Sequence, residues 1–209
     1  MDLEILLTKK TNLIENDSLT VFDGWAAQQN PNAFDVFFNF LKEVRPSRIL
    51  EVGTSLGGFT RFLNETCKNL NIDCDIVTYD IYDRQEYDVL VSEGINVIIE
   101  NVFNEGYTIL KEEVINFVQS PGVTIVLCDG GDKIREFNLI SNFLKSGDYI
   151  LAHDYAENSD VFQNEVFMKL WNWHEISEHN IIEACDRNNL IDFKRDVFTK
   201  AVWVCKIKN

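Results

Sequence analysis

The chain has 209 residues, 45% hydrophobic and 12% aromatic, which is enough to bury one sizeable core and too apolar for wholesale disorder. Its 34 acidic residues outnumber 19 basic ones for a net charge of −15, a surface that repels phosphate backbones and anionic membranes and so disfavours both as general partners. No apolar run approaches the roughly 18 to 20 residues needed to span a bilayer, and Asp2 and Glu4 stand where a signal peptide would be positive, so a cytoplasmic protein is expected.

In chain order, the apolar spacing of Phe34, Phe37, Phe38, Leu41 and Val44 predicts a helix closed by Pro46. Residues 1–45 are expected to form a helical cap on a single domain whose core runs over 46–209. Arg48 to Gly53 predicts a short strand, Phe59 to Leu70 a helix, Asp75 to Asp80 a second strand and Asn96 to Glu100 a third. Tyr107 to Val118 reads as a helix stopped by Ser120-Pro121-Gly122. Val123 to Cys128, nearly all apolar and rich in β-branched residues, predicts a central strand.

Ile134 to Leu144 predicts an amphipathic helix and Tyr149 to Ala152 a strand, with helical character over Phe162 to Trp173 and Glu175 to Cys185. Leu190 to Phe193 and Ala201 to Ile207 close the chain as strands joined too tightly for a helical crossover. Strands alternating with helices predict an α/β, three-layer, Rossmann-like sandwich. Its seven-stranded sheet is mostly parallel, with one antiparallel strand near the C-terminus. The five cysteines are odd in number and lack a C-x-x-C pair, which suits buried reduced thiols better than zinc ligation.

In such sheets ligands bind beyond the C-terminal strand ends. The first of these loops reads Glu51-Val-Gly53-Thr54-Ser55-Leu-Gly57-Gly58-Phe59. Gly53 allows a tight turn, Gly57 and Gly58 allow close approach, and the following helix aims its amide-rich N-terminus at a ligand carboxylate. The spacing is neither the G-x-G-x-x-G of dinucleotide folds nor a P-loop, and no G-x-S-x-G hydrolase elbow is present.

The pattern resembles the E-x-G-x-x-x-G motif of class I S-adenosylmethionine-dependent methyltransferases. The resemblance implies S-adenosylmethionine as cofactor, held by Glu51, Gly53, Thr54, Ser55 and Gly57. Asp80, at the end of the next strand, would accept the ribose hydroxyls, with Ile81 beside it. Asn101 and Val102 would lie near the adenine, and Asp129 would border the cofactor.

Two further loops are rich in chemistry: Asp129-Gly-Gly-Asp132-Lys133 and Ala152-His153-Asp154-Tyr155. Neighbouring parallel strands would bring Asp129, His153 and Asp154 to one rim, where they could ligate Mg²⁺ or another divalent cation. The pattern resembles small-molecule O-methyltransferases acting on catechols, sugars and macrolide sugars. The ending from Trp171 to Cys205 is similar to methyltransferase-like proteins of bacteria and phages. A histidine where that subgroup carries an acid leaves the metal's identity open.

Asp129 is a candidate catalytic group, with His153 as an alternative base and Lys133 as a rival one if desolvation depresses its pKa. Asp129 could instead cap the next helix. Trp25, Gln28 and Gln29 either line a substrate mouth or form an exposed turn, and His174 and His179 read as packing. The expected activity is methyl transfer to a hydroxyl of a small molecule or sugar. The alternative is a non-catalytic nucleotide-binding or scaffolding protein on the same fold. The oligomeric state is open, a homodimer included.

Overall fold

The computed structural model of the chain describes residues 10–12, 20–104 and 106–209. Three short strands, Lys10–Asn12 (β1), Thr20–Phe22 (β2) and Trp25–Ala26 (β3), form a small antiparallel sheet in the order β1-β2-β3. The N-terminal cap is therefore part sheet, followed by one helix, Ala33–Val44 (α1); the rest of the predicted cap, residues 1–9 and 13–19, lies outside the described residues. Helical periodicity begins only at Ala33, whereas Thr20-Val-Phe22 is a β-branched and aromatic run bounded by the Asp23-Gly24 turn.

The main sheet comprises Arg48–Val52 (β4), Asp75–Asp80 (β5), Asn96–Ile99 (β6), Thr124–Cys128 (β7), Tyr149–Ala152 (β8), Leu190–Asp192 (β9) and Val204–Lys208 (β10). Their order is β6-β5-β4-β7-β8-β10-β9. β4 pairs in parallel with β5 and β7, β5 with β6 and β7 with β8, while β10 is antiparallel to both β8 and β9. One reversed strand in a seven-stranded sheet is the expected architecture. Its interleaved helices are Gly58–Asn69 (α2), Tyr87–Ser92 (α3), Glu112–Gln119 (α4), Lys133–Ile140 (α5) and Glu178–Asn188 (α6).

Strand alternation divides the core into two layers. Ile49, Ile125, Leu127 and Leu151 face α1 and α2, whereas Leu50, Val126, Cys128 and Ile150 face α4, α5 and α6. The first layer is aromatic: Phe37 meets Phe59, Phe198 and Trp203 edge-on at ring distances of 5.0, 5.8 and 5.2 Å. Each such buried ring contributes about 1.5 to 3 kcal/mol from area alone. The five cysteines are free thiols, four of them buried. No helix among the described residues is long and apolar enough to cross a membrane.

Several predicted helices are shorter than expected, for local reasons. Tyr107 to Leu110 is a turn, because the Asn104 side chain accepts the amides of Thr108 and Ile109 at 3.3 and 3.4 Å and Leu110 bridges back to Phe103. α5 stops at Ile140 and runs into a 3-10 turn over Ser141–Phe143. Phe162 to Trp173 holds only a π-helical turn, Phe162–Val166, before Trp171 folds back on Phe167. α6 starts at Glu178 rather than Glu175, where a capping box pairs Ser177 and Asn180. Between β9 and β10 a short helical turn, Arg195–Phe198, lets β10 reverse direction.

The small sheet is pinned to the core at α2. Phe22 packs on Phe62, and a Cβ on Gly58 would lie 2.4 Å from the Trp25 carbonyl oxygen and 2.6 Å from that of Ala26. Alanine normally stabilises a helical position by about 1 kcal/mol over glycine. Gly58→Ala is expected to do the opposite, lowering the unfolding free energy by about 1 to 3 kcal/mol through overpacking against β3. Urea denaturation measures it, and a stabilised variant would show that the small sheet does not seat on α2.

Candidate active site

Register assembles the site. Val52 pairs with Cys128, and Cys128 with Ala152, so the next residues, Gly53, Asp129 and His153, form a row across three strand ends. Backbone bonds extend the row: Asp129 donates to the Val52 carbonyl at 2.9 Å, and His153 to that of Cys128 at 3.1 Å. Gly53 has φ of 96°, and a Cβ there would sit 2.2 Å from the Asp129 carbonyl oxygen. The glycines therefore serve contacts within the chain: Gly53 with Asp129, Gly58 with β3, and Gly57, with φ of 77°, the left-handed entry to α2.

Glu51 pins this loop from beneath. One oxygen of its 2% exposed carboxylate accepts both the Thr60 and Thr78 hydroxyls at 2.6 Å, and Thr78 meets the Thr54 hydroxyl at 2.6 Å. Burial drives its pKa up to about 7 despite the two hydroxyl donors. Asp80 works from the other side, accepting the Ser55 amide at 2.8 Å and the Tyr82 amide at 2.9 Å. Ser55 is held in the left-handed region at φ of 51°, with its carbonyl accepting the Tyr87 hydroxyl and its own hydroxyl donating to Gln28.

Two cavities open on opposite sides of the row. The larger, about 700 Å³, is lined by Gly53, Ser55, Asp80, Ile81, Asn101, Val102 and Asp129, all singled out from the sequence. The smaller, about 240 Å³, lies on the α1 and α2 side and includes Gln28, Gln29, Glu51, Thr54, His153 and Trp171. Gly53, Ser55 and Asp129 line both. Glu51 and Thr54 thus belong with the smaller cavity, and Gly57 lines neither. Exposed Ile81 and Tyr107 rim the larger cavity, and Glu136 lies at its floor, bonded to the Gly130 and Asp132 amides and raised to about 7 by burial.

The wall of the smaller cavity is a polar network. Asp129 accepts His153 Nδ1 on Oδ1 at 3.0 Å and Gln29 Nε2 on Oδ2 at 2.7 Å. Asp154 accepts the Trp171 indole N–H on Oδ1 and the Lys133 ammonium on Oδ2 at 3.0 Å. Trp203 stacks on the His153 ring and donates to Gln29 Oε1 at 2.9 Å. His153 Nε2 is buried without a partner among the described residues. Burial would lower the His153 pKa, but Asp129 and Asp154 more than offset it and raise it. Asp154 is pushed up by burial and, more strongly, down by His153 and Lys133, so it stays ionised.

Lys133 and the metal candidates share one cluster. Burial lowers the Lys133 pKa, but Asp129, Asp154 and Glu175 together carry it above the ordinary lysine value, which favours the protonated ammonium over a base. For a divalent metal, ligand atoms of Asp129, His153 and Asp154 do converge within 4.8 Å of one another. However, the Lys133 ammonium already stands 3.0 Å from Asp154 Oδ2 and 3.8 Å from Asp129 Oδ1, and His153 Nδ1 is turned to Asp129. With that positive charge in place the set does not fit a divalent cation. The helix cap, the alternative role for Asp129, is supplied by Asp132, which accepts the Arg135 amide. His174 packs as expected, stacking on Phe162, and its Nε2 also meets the Ser177 hydroxyl.

Gln28 and Gln29 line the cavity, whereas Trp25 lies under the Arg61 guanidinium. Trp171, Trp203 and Glu175 belong to the site with no motif to announce them. From the sequence, the stretch around Trp171 and Glu175 reads as packing.

The FtsJ-like methyltransferase family model matches residues 32–191. No curated protein sequence matches the chain. Among solved structures, apo CmcI aligns with a TM-score of 0.65 and 16% identity over 90% of this chain and 76% of that one. CmcI with SAH aligns with a TM-score of 0.60 and 16% identity over 100% and 93%. An O-methyltransferase family protein from Burkholderia thailandensis aligns with a TM-score of 0.54 and 10% identity over 85% and 55%.

Because the folded pKa of Glu51 lies above its unfolded value, its contribution to stability is fully present below about pH 4.5 and is lost as pH rises through about 7. Glu51→Gln is therefore expected to gain on the wild type between pH 5 and pH 8, by about 3 kcal/mol at most. Urea unfolding at the two pH values gives the comparison. A difference that does not change with pH would contradict the assignment.

Proposed function

The chain belongs to the FtsJ-like methyltransferase family, and from that premise we propose that it methylates a hydroxyl of a small molecule or sugar using S-adenosylmethionine. One observation carries the reading: the two cavities meet at Gly53, Ser55 and Asp129. Two ligands bound on either side would touch where Asp129 stands. S-adenosylmethionine supplies a methyl group on a positively charged sulfur, open to displacement by an acceptor oxygen.

The larger cavity has the volume of a cofactor site. Asp80 still has lone pairs for ribose hydroxyls after taking two backbone amides, and Ile81 and Val102 offer apolar surface to a purine with Asn101 beside them. The smaller cavity's 240 Å³ suits a small acceptor, and its indole and carboxylate lining suits a polyhydroxylated one. The acidic net charge favours such an acceptor over a nucleic acid.

In this reading Asp129 orients the acceptor hydroxyl and, with His153 hydrogen-bonded to it, takes up the hydroxyl proton. Gln29 holds the second carboxylate oxygen, so the carboxylate cannot rotate away. Lys133 stays protonated and stabilises the negative charge beside it. No step is assigned to a divalent metal, because the Lys133 ammonium already stands beside two of its three candidate ligands.

Calorimetry with S-adenosylhomocysteine tests the cofactor site. The wild type is expected to bind, and Asp80→Ala to bind about 10- to 100-fold more weakly through loss of charge-assisted bonds. Equal binding by the variant, or none by the wild type, would remove the cofactor assignment. In a mass-spectrometric screen of hydroxylated small molecules and sugars, Asp129→Asn is expected to slow methylation about 100-fold or more. A variant as fast as the wild type would remove Asp129 from the chemistry.

A further inference from the structure

Lys133 opens α5 and is only 6% exposed, an unusual place for a lysine. Its ammonium has three donors and three close acceptors: the Gly130 carbonyl at 3.0 Å, Asp154 Oδ2 at 3.0 Å and Glu175 Oε2 at 2.8 Å. Asp129 Oδ1 is a fourth oxygen at 3.8 Å. These oxygens come from three separate segments: the loop after β7, the end of β8 and the approach to α6. They surround the ammonium as oxygen ligands surround a cation, and their charges require one.

We propose that Lys133 is this protein's own built-in cation, occupying the place between Asp129 and Asp154 that a divalent ion would otherwise take. The ammonium neutralises the paired carboxylates, ties the Asp129 loop to the Asp154 loop and recruits Glu175 to the cavity wall. It leaves no vacant ligand position, since a protonated amine has no lone pair and a divalent ion in its place would need the side chain expelled from a buried site. Lys133 is thus a positioning residue for Asp129 and Asp154. The inference concerns the cavity wall and stands apart from the identity of the reaction.

Removing the ammonium should uncover a metal site, because buried Asp154 and half-buried Asp129 would then lack its positive charge. The experiment is Mn²⁺ binding followed by electron paramagnetic resonance on the full chain, with Mg²⁺ as competitor. The wild type is expected to leave millimolar Mn²⁺ in its free form and to keep its melting temperature with or without Mg²⁺. Lys133→Gln is expected to bind Mn²⁺ at least about tenfold more tightly than the wild type, as relief of Coulomb repulsion predicts. Adding Asp154→Asn should abolish that gain, and Lys133→Arg should remain indifferent to metal.

A folded Lys133→Gln variant with no gain in Mn²⁺ affinity would overturn the proposal. So would wild-type protein that binds Mn²⁺ tightly and loses it in Asp154→Asn, a result that needs no lysine variant to fold. Neither readout involves cofactor or turnover, so failure here leaves the methyltransferase reading intact.

Discussion

Gly53 lies so close to the Asp129 backbone that even one extra carbon would collide with it, and the rest of the site depends on that approach. Two strand ends with bulkier residues could not draw together there, and Asp129 would not stand at the common wall of two cavities. The approach is held from three directions. Glu51 binds the loop through buried threonines, Asp80 takes the Ser55 amide, and the small N-terminal sheet presses on Gly58. A left-handed serine at position 55 carries a cost of roughly 1 to 2 kcal/mol that these contacts offset.

Electrostatics then determines what the site can do. The chain is strongly acidic, and its site gathers Asp129, Asp154 and Glu175 against one buried lysine and one buried histidine. A carboxylate buried as deeply as Asp154 would be driven toward protonation if it stood alone, as the raised pKa values of Glu51 and Glu136 illustrate. Asp154 stays ionised because Lys133 and His153 are beside it. The same network that keeps Asp154 charged also places an ammonium among the carboxylates. Convergence of metal-ligand types is thus compatible with a wall built of protein donors alone.

Much of this was legible in the sequence, for physical reasons. The sheet announced itself because fully buried parallel strands read as unbroken apolar runs, as in β7. The larger cavity was legible because residues at the ends of parallel strands must share a rim, so Gly53, Asp80, Asn101 and Asp129 could be grouped by their place after a strand. Side-chain direction was not legible. Glu51 precedes the glycine loop yet turns to Thr60 and Thr78, and Lys133 has acceptors from segments up to 42 residues away. Trp171 and Trp203 reach Asp154 and Gln29 through long-range packing that leaves no periodic trace. The short N-terminal strands were missed because no two of them make a pattern long enough to outweigh the helix that follows.

The central claim is that the two cavities serve one reaction meeting at Asp129. A crystal structure with S-adenosylhomocysteine tests it most directly. The account predicts the adenosine along Asp80, Ile81 and Val102, with the sulfur at the Gly53–Asp129 junction, facing the smaller cavity. A ligand bound with its sulfur turned away from Asp129, or bound elsewhere on the chain, would contradict it.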